Sequence, residues 1–140
     1  MPTDFLKRCD AIEECYEYML AYAGQGLPSD VSSEAGSQIR AFLRRATEAL
    51  AGLAVSCADT LAREGIESLQ PYEGFMAVLN RDAQDSLAAI DVVLAQPAIS
   101  SQLIDNLNAS IHLRALLTDL FLLGEVVRSR RQSAVTLAHE

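Results

Sequence analysis

The chain has 140 residues, half of them hydrophobic, and a formal net charge of −8 from 11 Lys+Arg against 19 Asp+Glu. That length suits one domain, residues 1–140, with a single core, and the apolar content excludes general disorder. The acidic balance is opposite in sign to that of a nucleic-acid binder, so no nucleic-acid partner is expected, and the surface charge serves solubility.

Leu and Ala dominate while β-branched residues are scattered, which favours helix over sheet. Lys7 is the only lysine, a bias towards arginine that suggests GC-rich coding and a bacterial source. Three cysteines, an odd number, point to reduced thiols in a cytoplasm. Cys9 and Cys15, six residues apart, project about 120° apart on a helix and cannot share a metal ion. With Cys57 they are expected to fill core space. The opening residues, MPTDFLKRCDAIEE, place acids early and lack an apolar run, so they read as neither signal nor transit peptide.

In chain order, Thr3 or Asp4 caps a first helix that ends near Ala23, before Gly24 and Gly26. Phe5, Cys9, Ile12, Tyr16, Met19 and Ala23 form its main apolar stripe. Ala11, Cys15, Tyr18 and Tyr22 form a second, and an acidic arc contains Asp10, Glu13, Glu14 and Glu17. Residues 24–33 read as a loop, with Ser32 or Ser33 capping the next helix. A second helix is expected over 34–63, with Ile39, Phe42, Ala46, Ala49, Leu50, Leu53, Cys57 and Leu61 on its face. Its small residues, Gly52 among them, suit close approach of a neighbour. Arg40, Arg44 and Arg45 are placed to pair with the acidic arc of the first helix. Residues 66–70 form a short connection. Pro71 opens a third helix that runs to Ala95, carrying Phe75, Met76, Leu79, Ala83, Leu87, Ile90 and Leu94.

Ser100 or Ser101 caps a fourth helix, with a break expected at Asn106–Ser110 and a frayed tail over 132–140. Its centre, Ile111–Val127, is the most apolar segment of the chain. A wide face holds Leu113, Leu116, Leu117, Leu120, Phe121, Leu123, Gly124 and Val127. A narrower strip opposite holds Ile111, Ala115, Leu122 and Val126. Arg114, Thr118 and Glu125 line one flank of that strip, and His112 and Asp119 the other. A helix that is apolar on two sides is usually covered on two sides, so the narrow strip either packs under another helix or meets a partner chain. Arg114, Asp119 and Glu125 exclude a membrane span. The four segments together predict an all-α antiparallel four-helix bundle, dimeric through the narrow strip.

Candidate chemistry is sparse. Glu-x-x-His, as di-iron bundles need, does not occur, and three separated cysteines with His112 and a tail His139 offer no zinc spacing. There is no Gly-x-Ser-x-Gly elbow and no phosphate loop. Glu13-Glu14-x-x-Glu17 resembles the E-E-x-x-E run of all-helical nucleotide pyrophosphatases of the MazG and dUTPase type. That resemblance implies Mg²⁺ on Glu13, Glu14 and Glu17, with Asp82-x-x-Asp85 standing in for the second acidic pair. In that family the second pair follows within a few tens of residues and begins with Glu, whereas here it starts at Asp82. On a helix the same glutamates also make a solvated face.

The reading is therefore a non-enzymatic interaction or assembly protein, self-associating and binding another protein, without cofactor, resident metal or membrane partner. The candidate interface comprises Ile111, Ala115, Leu122, Val126, Arg114, Glu125, His112, Asp119, Tyr18 and Tyr22. A Mg²⁺-dependent nucleotide hydrolase and a small-apolar-ligand binder are the alternatives.

Overall fold

A computed structural model describes residues 4–31, 34–66 and 70–138. Among the described residues every regular element is helical: α1 (Asp4–Gly24), α2 (Glu34–Leu50), α3 (Leu53–Arg63), α4 (Gln70–Leu94), α5 (Ser101–Asn108) and α6 (Ile111–Ala138). Thr3, Ser32, Ser33 and His139, the tail beyond Ala138 and the middle of the 66–70 connection lie outside the described residues. α6 is helical to Ala138, through most of the segment expected to fray.

The expected helix over 34–63 is two helices, and Gly52 is the reason. Its φ of 77° is left-handed, a conformation open to glycine at little cost, and no intrahelical ladder passes through it. The break leaves the last carbonyls of α2 without helical partners. Arg8, on α1, supplies them: its Nη1 donates to the carbonyls of Glu48 at 3.1 Å, Ala49 at 3.1 Å and Ala51 at 2.7 Å. Arg8 Nε also donates to Asp4 at 2.8 Å, and Ser56 Oγ on α3 donates to the same carboxylate oxygen at 2.5 Å. One short polar chain thus joins α1 to both sides of the break.

α3 closes through Gly65 (φ 82°), with Ile66 N donating to Leu61 O and Gly65 N to Ala62 O. Buried Ile66 lies over the end of the helix, as a six-to-one closure requires. The break expected in Asn106–Ser110 occurs at Ala109–Ser110. Ser100 caps α5 by accepting from Leu103 N, and Ser110 Oγ accepts from Leu113 N at the start of α6.

One apolar cluster draws on all six helices. α1 packs most extensively on α2 and α5, with smaller contacts to α3 and α6. α4 packs on α2, α3 and α6. From α1 the core receives Phe5, Cys9, Ile12, Cys15, Met19 and Tyr22; from α4, Leu79, Ala83, Ile90 and Val93. At one end a buried clasp holds the 25–31 segment to the α4–α5 link. Arg40 donates to Asp30 at 2.6 Å and to the carbonyls of Leu94 and Gln96, while Asp30 accepts from Ile99 N at 2.7 Å. Ser101 Oγ accepts from Leu27 N and donates to Tyr22 O. Burial opposes the charged form of Asp30, but the hydrogen bonds from Arg40 and Ile99 prevail and hold its carboxyl below the ordinary range. Gly36 packs directly against the Asp30 backbone, leaving no room for a side chain. The loop is tied down by residues that periodicity does not single out.

Candidate functional site

α6 divides along its length as its wheel indicates, with one correction. Leu113, Leu116, Leu117, Leu120, Leu123 and Val127 are buried. Phe121, expected among them, is 59% exposed. It lies about 100° from the centre of the buried arc, beyond the reach of α4 and α1. The narrow strip opposite is open: Ile111 is 75% and Leu122 55% exposed, with Ala115 and Val126 half-buried. Of the eight large hydrophobic side chains exposed among the described residues, Ile111, Phe121 and Leu122 all stand on α6, and no other helix carries more than two. Scattered exposed hydrophobes are ordinary; Ile111 and Leu122 share one face of α6, while Phe121 stands beyond the Arg114 and Glu125 flank.

Two hollows adjoin the strip. One, of about 340 Å³, is lined by Leu122, Glu125, Val126, Ser129 and Arg130. The other, of about 160 Å³, lies between α4 and α6 and is lined by Pro71, Tyr72, Phe75, Leu122, Leu123 and Val126. Leu122 and Val126 form a ridge between them.

Arg114 and Glu125 flank the strip, both exposed and neither ion-paired among the described residues. Thr118 Oγ1 folds back to donate to the Arg114 carbonyl at 3.0 Å. The other flank separates into two unlike positions. His112 is exposed, its Nδ1 4.0 Å from Asp85 Oδ2, and its carbonyl accepts from Ser86 at 3.0 Å. Asp119 is buried, and its Oδ2 meets no donor among the described residues. Its neighbour is Asp82: burial first, then the hydrogen bond and charge of Asp82, push the Asp119 carboxyl up to about 7. Two carboxyls in contact share a proton more readily than they share two charges. His112 and Asp119 are therefore not brought to a common ligand. Each pairs across to α4, which also accounts for the Asp82-x-x-Asp85 spacing.

The remaining candidates fall elsewhere. Tyr22 is fully buried, its hydroxyl donating to the Ile99 carbonyl at 2.7 Å, so it belongs to the core and to the clasp. Tyr18 is half-buried and stacks on Phe42 with ring centroids 4.4 Å apart, and Arg45 caps that ring at 5.5 Å. Arg45 also reaches Glu14 at 3.2 Å, the one pairing of the second helix's arginines with the acidic arc found among the described residues. Glu17 is exposed, and Glu13 is half-buried with its carboxyl raised by burial and then by Asp10. Among the described residues no group of three or more His, Cys, Asp or Glu side chains is placed to hold a metal ion. Cys9, Cys15 and Cys57 are buried free thiols that burial pushes up to about 12. A thiol held that high is not a nucleophile at neutral pH. No helix among the described residues is long and apolar enough to cross a membrane.

No protein-family model, curated protein or solved structure matches this chain.

Proposed function

We propose that this chain is a non-enzymatic interaction protein, a cytoplasmic bacterial helical bundle that self-associates through the outer strip of α6 and presents that strip to protein partners. In this reading the bundle is four-stranded and antiparallel, with α2–α3 and α5–α6 each forming one interrupted strand. The packing order supports it: α1 neighbours α2, α4 neighbours α2, α3 and α6, and α5 returns to α1. The observation that carries the functional reading is the strip of Ile111 and Leu122, exposed, with half-buried Ala115 and Val126, beside two hollows. Such a surface stabilises a complex by leaving water, and its polar rim sets orientation.

The test is light scattering on purified protein at micromolar concentration, where twice the 15.2 kDa chain mass is expected. Leu122→Asp or Val126→Asp should return the mass to a monomer while helicity is retained. A wild-type monomer contradicts self-association, and global unfolding of both variants means the strip is core.

The nucleotide-hydrolase alternative rests on the spelling of Glu13-Glu14-x-x-Glu17, and Glu14 is already engaged by Arg45. No observation favours it.

A further inference from the structure

Taking the α6 strip as the self-association surface, we infer that two copies pair their α6 helices antiparallel about a two-fold axis that crosses the outer face between Thr118 and Leu122. The inference rests on the functional reading above and adds its geometry.

Charge placement carries it. Arg114 and Glu125 lie on the same edge of the strip, on either side of its middle and about 16 Å apart along the helix. Both are exposed, and neither has an ion-pair partner among the described residues. An antiparallel two-fold preserves the edge and reverses the direction. Arg114 of one copy then faces Glu125 of the second copy, and the symmetry repeats the pair. A parallel two-fold would exchange the two edges, setting Arg114 and Glu125 against the His112 flank of the second copy and leaving them without each other.

Shape agrees with charge. In the antiparallel register Ile111, the most exposed large side chain of α6, comes opposite Ser129 of the second copy. Ser129 lines the hollow of about 340 Å³ together with Leu122, Glu125, Val126 and Arg130. The prominent residue at one end of the strip thus meets the recess at the other, as a self-complementary interface requires. Leu122 of one copy comes opposite Thr118 of the second beside the axis, so the Leu122 side chain left in water by the single chain becomes covered. Rim charges of this kind fix register and orientation more than affinity.

The experiment is a charge exchange read by sedimentation. Dimer dissociation constants are measured for the wild type, Arg114→Glu, Glu125→Arg and the double variant. Each single change places like charges across the interface twice and is expected to weaken the dimer about tenfold or more. The double variant restores both pairs with reversed polarity and is expected to return to within about threefold of the wild type. Circular dichroism on all four confirms that these surface changes leave the fold intact. A wild-type dimer whose double variant is no tighter than the singles overturns the antiparallel register and leaves the self-associating surface standing. A wild type that stays monomeric overturns both.

Discussion

Asp119 illustrates how one side chain can be legible in kind and illegible in role. Its position on the polar flank of α6 follows from helical period, but its neighbour comes from α4. Burial first, and then the hydrogen bond and charge of Asp82, raise the Asp119 carboxyl to about 7, against an ordinary value of 3.8 in the unfolded chain. The folded state therefore holds that proton more tightly. The associated stability is fully present below about pH 4 and is lost as pH rises through 7. Asp82 beside it, and Asp85 with His112 on the same two helices, share the local field. Asp119→Asn keeps a neutral donor facing Asp82. It is expected to flatten the pH dependence of melting between about pH 4 and 7, and to raise stability at pH 8 by about 1–3 kcal/mol. Denaturant titrations at pH 5 and 8 check this, and an unchanged pH slope would refute it. Arg8 and Asp30 belong to the same class of residue. Their types permit many roles, and only the helix end or backbone they meet across the fold defines one.

At the scale of elements, period and capping residues locate most of the architecture. The stripes of α1 and α4 find the centre of each buried face (Phe5, Cys9, Ile12 and Met19; Leu79, Ala83 and Ile90), while Tyr16, Phe75, Met76, Leu87 and Leu94 lie half-buried at its edges, and Ser100 caps α5 as serine before a helical pattern should. The miss at Gly52 has a physical cause. The apolar period runs unbroken from Ile39 to Leu61, because Leu50 and Leu53 both reach the core from either side of the turn. Periodicity alone therefore cannot detect the break, and a glycine inside a helical pattern fits equally a close approach or a left-handed turn. No atom outside its immediate neighbourhood lies within 4 Å of where a Gly52 side chain would begin, so the space is open and only φ resists. Gly52→Ala is accordingly expected to cost about 1–2 kcal/mol. An unchanged or higher melting temperature would mean that the α2–α3 segment straightens into one helix. Phe121 is the opposite case. Its apolar character assigned it to the core face, while the angular width of contact with α4 and α1 leaves it in water.

For the molecule as a whole, one apolar cluster accounts for how the helices of the described residues hold together, and the clasp at Asp30 and Arg40 secures the 25–31 segment. The strip was readable as the second apolar side of a helix, but the wheel leaves open whether another helix or a partner chain covers it, and Val126 in fact packs partly against the core. Which of its flanking residues remain available was not readable: Tyr22 and Asp119 are consumed inside the fold, and Arg114 and Glu125 are left outside. The central claim is that this outer strip becomes covered when chains associate. The chain contains no tryptophan, so Leu122→Trp introduces a single reporter in the middle of the strip, where Leu122 is 55% exposed. Its fluorescence is measured as protein concentration rises from below one micromolar to about a hundredfold higher, a range that spans typical weak dimer constants. A concentration-dependent blue shift is expected as the indole leaves water, reversed by adding Val126→Asp. A solvent-exposed emission that stays constant across the whole range would contradict it.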